Sequence, residues 1–273
     1  EEQVGMVDVS LHDLFLQAIV TPFEEAETEG YLVILQDLTR IRRLETVRRD
    51  FISNISHELR TPLNGVLGMI ELIQEDSLTP RQRDYLVTAK QSTEDLLTVI
   101  SDILDFSQIE NGKLELENQE FDLKNLISNC TATYRHLAEQ HGLSLSLNFY
   151  GEWPDKALVA GDPARLRQIL AGLMDNAIKF TREKGLPVTI STQAADDWVE
   201  VAVQDRGVGV SEDTIPCLFA RFRQIDRGTM EQQGSGLGLA IAQELIVLHG
   251  GEITVNSILG EGSTFTIRLP VAR

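Results

Sequence analysis

The chain has 273 residues, 42% hydrophobic and 24% charged, which is room for two domains and connecting helices. Its 42 acidic against 24 basic residues leave a formal charge of −18, which argues against nucleic acid or an anionic membrane surface as the main partner. No apolar run reaches the ~18 residues of a membrane span and no signal peptide opens the chain, so the piece is expected to be soluble and cytoplasmic.

Any attachment to a membrane would come through regions outside this chain, such as those of a longer, membrane-spanning protein. Cys130 and Cys217 sit in neither a C-x-x-C nor a zinc spacing, and are expected as small buried residues in a reducing compartment.

In residues 1–37 the legible element is Tyr31–Asp37, an aliphatic run that predicts a strand. From Leu38 to about Asp76 the pattern is helical, and Pro62, which removes a backbone hydrogen bond, predicts a kink. Ile52, Ile55, Leu59, Leu63, Val66, Ile70 and Ile73 recur at steps of three and four and form one apolar stripe. At about 100° per residue, His57 lies roughly 160–200° from Ile55 and Leu59 and points away from the stripe. An imidazole in that position beside Glu58 is placed for chemistry, although such a pair taken alone is more often an ordinary surface histidine.

Ser77-Leu-Thr79-Pro80 breaks the helix, with Thr79 as N-cap and Pro80 at the first helical position. A second helix with Leu86, Ala89, Thr93, Leu96, Ile100, Ile103 and Ser107 on its seam runs to Ile109 and stops at Asn111-Gly112. Two such helices cannot bury both stripes alone, so a homodimer closing a four-helix bundle is expected.

Beyond Gly112 strands alternate with helices. Strands are predicted at Lys113–Glu117, Leu143–Phe149, Val188–Thr192, Val199–Gln204, Glu252–Asn256 and Thr264–Leu269. Helices are predicted at Asp122–Gln140, from Asp162-Pro163 through Phe180, near Ser211–Phe219 and at Gly236–His249. The pattern is that of an α/β sandwich with helices on one face.

Three stretches of this half carry chemistry. Asn176, Lys179 and Phe180 fall within about one helical turn, where an amide oxygen can meet Mg²⁺ and an ammonium can meet phosphate. Asp205-Arg-Gly207-Val-Gly209 closes an apolar strand with a carboxylate able to accept from an adenine amino group, and glycines that let backbone approach a flat ring. Gly234-Ser-Gly236-Leu237-Gly238 leads into a helix, whose N-terminal amides favour phosphate. Singly these are a polar helix ridge, a turn and a glycine cluster. The dinucleotide G-x-G-x-x-G, the P-loop G-K-S/T and the protein-kinase H-R-D and D-F-G signatures are missing.

Taken in order, Ser56-His-Glu-Leu-Arg-Thr-Pro-Leu63 resembles the phosphoacceptor box of sensor histidine kinases, and the three stretches resemble the N, G1 and G2 boxes of their gyrase-like ATP domain. Leu218–Gln224, with Phe222, resembles the F box, Arg227–Gln233 would be the ATP lid, and Gly260-Glu-Gly262-Ser-Thr264 resembles the closing glycine box. Asn64–Leu72 and Ile103–Leu114 are most similar to hybrid-type sensor kinases. Gly30–Glu45 resembles the exit of a PAS sensor domain.

The resemblance implies a PAS-like remnant over 1–37, a signalling helix and dimerising helical hairpin over 38–111, and an ATP-binding α/β sandwich over 112–273. It implies ATP-dependent phosphorylation of His57, with Glu58 bonded to the other ring nitrogen and Thr61 serving dephosphorylation. Transfer would go to an aspartate of a response-regulator receiver domain. ATP and Mg²⁺ would be held by Asn176 (the metal ligand), Lys179, Phe180, Asp205, Gly207, Gly209, Phe222, Gly234, Gly236, Leu237, Gly238 and Thr264.

Two positions depart from the family pattern. Gly172 stands where an earlier asparagine is usual, and Arg221 where proline is. Gly172 is the one support for an alternative, a catalytically weak regulator acting by dimerisation or sequestration. The lack of a water-activating carboxylate at residue 172 counts against an ATPase.

Overall fold

The computed structural model describes residues 5–11, 14–25, 28–74, 78–151, 153, 158–181, 185–195, 197–221 and 235–270, and it divides into two units, Glu1–Pro80 and Arg81–Arg273.

In the first unit β1 (Gly5–Leu11), β2 (Leu14–Glu25) and β3 (Thr28–Asp37) form an antiparallel sheet in sequence order, where the aliphatic run alone had predicted one strand. The pairing runs from Gly5↔Val20 to Leu11↔Leu14, and from Leu16↔Asp37 to Glu25↔Thr28. Helix α1 (Thr39–Gln74) starts directly from β3 and runs unbroken through Pro62. Its start is tied to β2: the Phe15 amide donates to Thr39 Oγ1, and the Thr39 amide donates to Asp37 Oδ1, both at 2.9 Å. This is the side-chain oxygen that an orphan helix-start amide requires.

The second unit takes in all but the first residue of α2 (Pro80–Glu110), which ends as its sequence predicts. Gly112 adopts φ +59°, the Gly112 amide donates to Ile109 O, and the Lys113 amide reaches back to Gln108 O. Such a glycine stop satisfies the last helical carbonyls.

The strand expected at Lys113–Glu117 is absent. That segment is held by side chains instead, with Leu114 buried, Leu116 packed on the core and the Glu117 amide donating to Asp162 Oδ2. Its alternation reports one buried side, not a ladder. The chain then pairs at β4 (Gln119–Asp122) with β6 (Leu158–Gly161), two short strands lacking a clear periodic signal.

Helices α3 (Leu123–Gln140), α4 (Pro163–Phe180) and α5 (Gly238–Leu248) pack against a five-stranded sheet made of β5 (Ser144–Tyr150), β7 (Pro187–Ala194), β8 (Trp198–Gln204), β9 (Glu252–Ile258) and β10 (Gly262–Pro270). The order is β5-β7-β8-β10-β9, with β5 parallel to β7 and every other pair antiparallel. In β8, Val199, Val201 and Val203 are buried and alternate with Glu200 and Ala202, the period-two pattern of a sheet with one covered face. A 3-10 turn at Glu212–Cys217, containing Pro216, replaces the helix predicted near Ser211–Phe219. Cys130 is buried and Cys217 half-buried.

Asp162 is the joint of this unit. Its Oδ1 accepts from the Ala164 and Arg165 amides and caps α4, while its own amide donates to buried His249 Nε2. His249 Nδ1 lies 2.7 Å from Leu245 O, so the ring carries its proton on Nδ1.

Candidate active site

Helix α4 buries Leu166, Ile169, Leu170, Leu173, Met174, Ala177 and Ile178. That choice of face turns Gly172, Asp175, Asn176 and Lys179 outward. Asn176 and Phe180 are half-buried, Lys179 is exposed, and Lys179 Nζ stands 5.9 Å from the centre of the Phe180 ring. Asp175 accepts from the Tyr134 hydroxyl of α3 at 3.3 Å. Past the helix end, Thr181 Oγ1 donates to Ala177 O.

Asp205 follows β8 and is 6% exposed. Its Oδ1 accepts two backbone amides, Gly207 at 2.8 Å and Ser263 at 3.2 Å, while its own amide donates to Ser263 O. Burial pushes the carboxyl above the usual aspartate range, against the pull of the two amides. A Cβ on Gly207 would lie 2.4 Å from Phe180 O, and one on Gly262, at φ +123°, would meet Asp205 O. Glycine is therefore required where the end of α4, the Asp205 loop and the start of β10 converge. Thr264, half-buried, follows Gly262 and pairs with Gln204.

At the start of α5, Gly236 takes φ +68°, Leu237 is fully buried and Gly238 opens the helix, its Cβ position clear of neighbours. Phe222, Gly234 and the expected lid at 227–233 lie outside the described residues.

The last turns of α2 engage this unit through side chains that the sequence gives no means of pairing. Ser235 Oγ donates to Asp102 at 2.5 Å, and Arg165 and Gln168 donate to Asp105 at 2.8 and 2.7 Å. Arg221 donates to Glu110 at 2.7 Å and lies 4.8 Å over the Phe106 ring. Thus the arginine that replaces the family's usual proline holds the end of α2.

In the first unit His57 stands in α1, five residues before Pro62, and its side chain lies outside the described set. Glu58 and Thr61 are exposed on the same helix. Ser56 is buried and its hydroxyl donates to Ile52 O at 2.8 Å. The apolar residues Ile55, Leu59, Val66, Met69 and Ile73 are exposed in the single chain. Among the described residues no helix is long and apolar enough to cross a membrane, and no group of three or more His, Cys, Asp or Glu side chains could cage a metal.

Residues 47–112 match the family model of the His Kinase A (phospho-acceptor) domain, and residues 161–273 match that of the histidine kinase-, DNA gyrase B- and HSP90-like ATPases. The chain is 44% identical to the sensor protein GacS of Pseudomonas syringae pv. syringae over 87% of its own length and 27% of the relative's. It is 41% identical to the signal transduction histidine-protein kinase BarA of Escherichia coli K12, over 84% of this chain and 25% of that one. It therefore spans about a quarter of the length of these relatives. The crystal structure of full-length ShkA in complex with AMPPNP matches with a TM-score of 0.66 and 33% identity, covering 82% of this chain and 46% of ShkA. With a phosphoacceptor domain followed by a histidine kinase-type ATPase domain, the chain belongs to the sensor histidine kinases.

Proposed function

We propose that this chain binds ATP at the corner where α4, the Asp205 loop and the start of β10 meet, and that it phosphorylates His57. The observation that carries the reading is the Asp205 carboxylate. Both amide bonds fall on Oδ1, so Oδ2 remains to accept from an adenine amino group. Gly207 and Gly209 keep the flanking backbone flat against the base. Lys179 and the amides at Gly236 and Gly238 meet phosphate, as helix-start amides do, while the buried Leu237 gives its amide to Ser235 Oγ.

Asn176 fits Mg²⁺ through its amide oxygen, because this ion keeps few protein ligands and is carried largely by substrate phosphates. When bound it would neutralise charge on the transferring group. A ring nitrogen of His57 attacks the γ-phosphorus, the N–P bond forms, and the bond to the ADP oxygen breaks. Glu58 accepts the proton from the other ring nitrogen.

The phosphoryl group then passes to a receiver-domain aspartate on another domain or protein, and Thr61 orients water for its later hydrolysis. The exposed stripe Ile55, Leu59, Val66, Met69 and Ile73 supports a homodimer, which covers it in a four-helix bundle.

Incubation with γ-labelled ATP and Mg²⁺ tests this reading. Acid-labile, alkali-stable label is expected on the parent chain and not on His57→Gln or Asn176→Ala. Label of equal yield on His57→Gln would rule out the assigned acceptor.

A further inference from the structure

The loop that carries Asp205 is held from behind by one hydroxyl outside every motif of the sequence. Ser257, near the end of β9, is opposite Ser263 in the β9–β10 ladder. Its Oγ accepts from the Val210 amide at 2.8 Å, donates to Gly262 O at 3.0 Å, and lies 2.9 Å from Ser263 Oγ. A serine hydroxyl has one proton and two lone pairs. With its proton on Gly262 O, both lone pairs are taken, one by Val210 N–H and the other by the Ser263 hydroxyl. All its bonding capacity thus goes to the two segments that flank Asp205.

Those segments are also joined through backbone. Gly260 N donates to Val208 O at 2.7 Å, and Gly209 lies so close to Ile258 O that a Cβ would be 1.9 Å from it. The Ser263 amide is itself one of the two donors that hold Asp205 Oδ1.

We infer that Ser257 is a positioning residue for base selection: by fixing Val210, Gly262 and Ser263 relative to each other, it aims Asp205 Oδ2 at the adenine amino group. The inference rests on the reading of Asp205 proposed above. Its consequence is selectivity, not general affinity. A loop allowed to shift loses the oriented hydrogen bond to the base and keeps the phosphate contacts made by Lys179 and the start of α5.

The test is the ratio of dissociation constants for Mg²⁺-ATP and Mg²⁺-ITP, whose base carries a carbonyl oxygen acceptor on C6 in place of the amino donor, measured by calorimetry. The parent chain is expected to prefer ATP. In Ser257→Ala the preference should fall by roughly 3–10-fold, the worth of about one hydrogen bond, through weaker ATP binding with ITP binding held. Ser257→Thr, which keeps the hydroxyl in a strand-favouring residue, should restore it. If Ser257→Ala melts below the assay temperature, Ser263→Ala removes the hydroxyl pair while leaving the amide bond to Asp205, and should narrow the ratio in the same direction.

Equal loss of ATP and ITP affinity, or a ratio unchanged from the parent, overturns the inference and leaves Ser257 a packing residue. A parent chain with no preference for ATP instead removes the reading of Asp205, and this inference with it.

Discussion

Ser235 Oγ donates to Asp102 at 2.5 Å, a bond between residues 133 apart that fastens the segment before α5 to the last turns of α2. The same hydroxyl accepts from the Leu237 amide at 3.1 Å. Burial, the larger cause, raises the Asp102 carboxyl, the Ser235 bond lowers it, and neighbouring Asp105 raises it. Because the folded carboxyl holds its proton more tightly than the unfolded one, ionising Asp102 costs stability as pH rises through the folded value, and the penalty is absent below the unfolded value.

A carboxyl carbon NMR titration should therefore place Asp102 above the ordinary aspartate value of about 3.9. Ser235→Ala, which removes the one lowering contact, should move it higher still. A midpoint that stays put in Ser235→Ala would show that the bond does not form in solution.

Asp205 offers a separation of stability from binding. Its carboxyl is also raised, by burial first, so its charge destabilises the unliganded fold above the folded pKa and not below the unfolded one. Asp205→Asn keeps an oxygen for the Gly207 and Ser263 amides and removes the charge. The variant should melt higher than the parent at neutral pH, with the difference shrinking as pH falls toward 4, while its preference for ATP over ITP disappears. A lower melting temperature at neutral pH would mean that the two amides outweigh desolvation.

Two glycines should answer alanine in opposite ways. Gly209 sits at φ +60°, and a Cβ there would lie 1.9 Å from Ile258 O, so Gly209→Ala should cost about 2 kcal/mol or more and abolish ATP binding. Gly172 lies inside α4 with nothing within 4 Å of an added Cβ, so Gly172→Ala should gain about 1 kcal/mol in urea denaturation. A destabilised Gly172→Ala would show that the missing side chain makes room for something else.

Much of this molecule is written locally. The steps of three and four in α1, the Asp162-Pro163 start of α4, the Asn111-Gly112 stop of α2 and the alternation of β8 and β10 follow from helix and strand periodicity and from caps. So does the order of the kinase boxes, since each is a short contiguous run, and the family was legible from them. Where local pattern failed, a longer-range contact had taken over. Lys113–Glu117 alternates like a strand, yet Asp162 takes the Glu117 amide, and β4 and β6 form because their partners lie close in space. The pairs Asp105–Arg165, Glu110–Arg221, Asp102–Ser235 and Val210–Ser257 span 60, 111, 133 and 47 residues. A hydrogen bond across such a distance imposes no spacing on the sequence, and a serine that secures a loop has the composition of one that merely faces water. Only folding, which brings these groups within 3 Å, tells them apart.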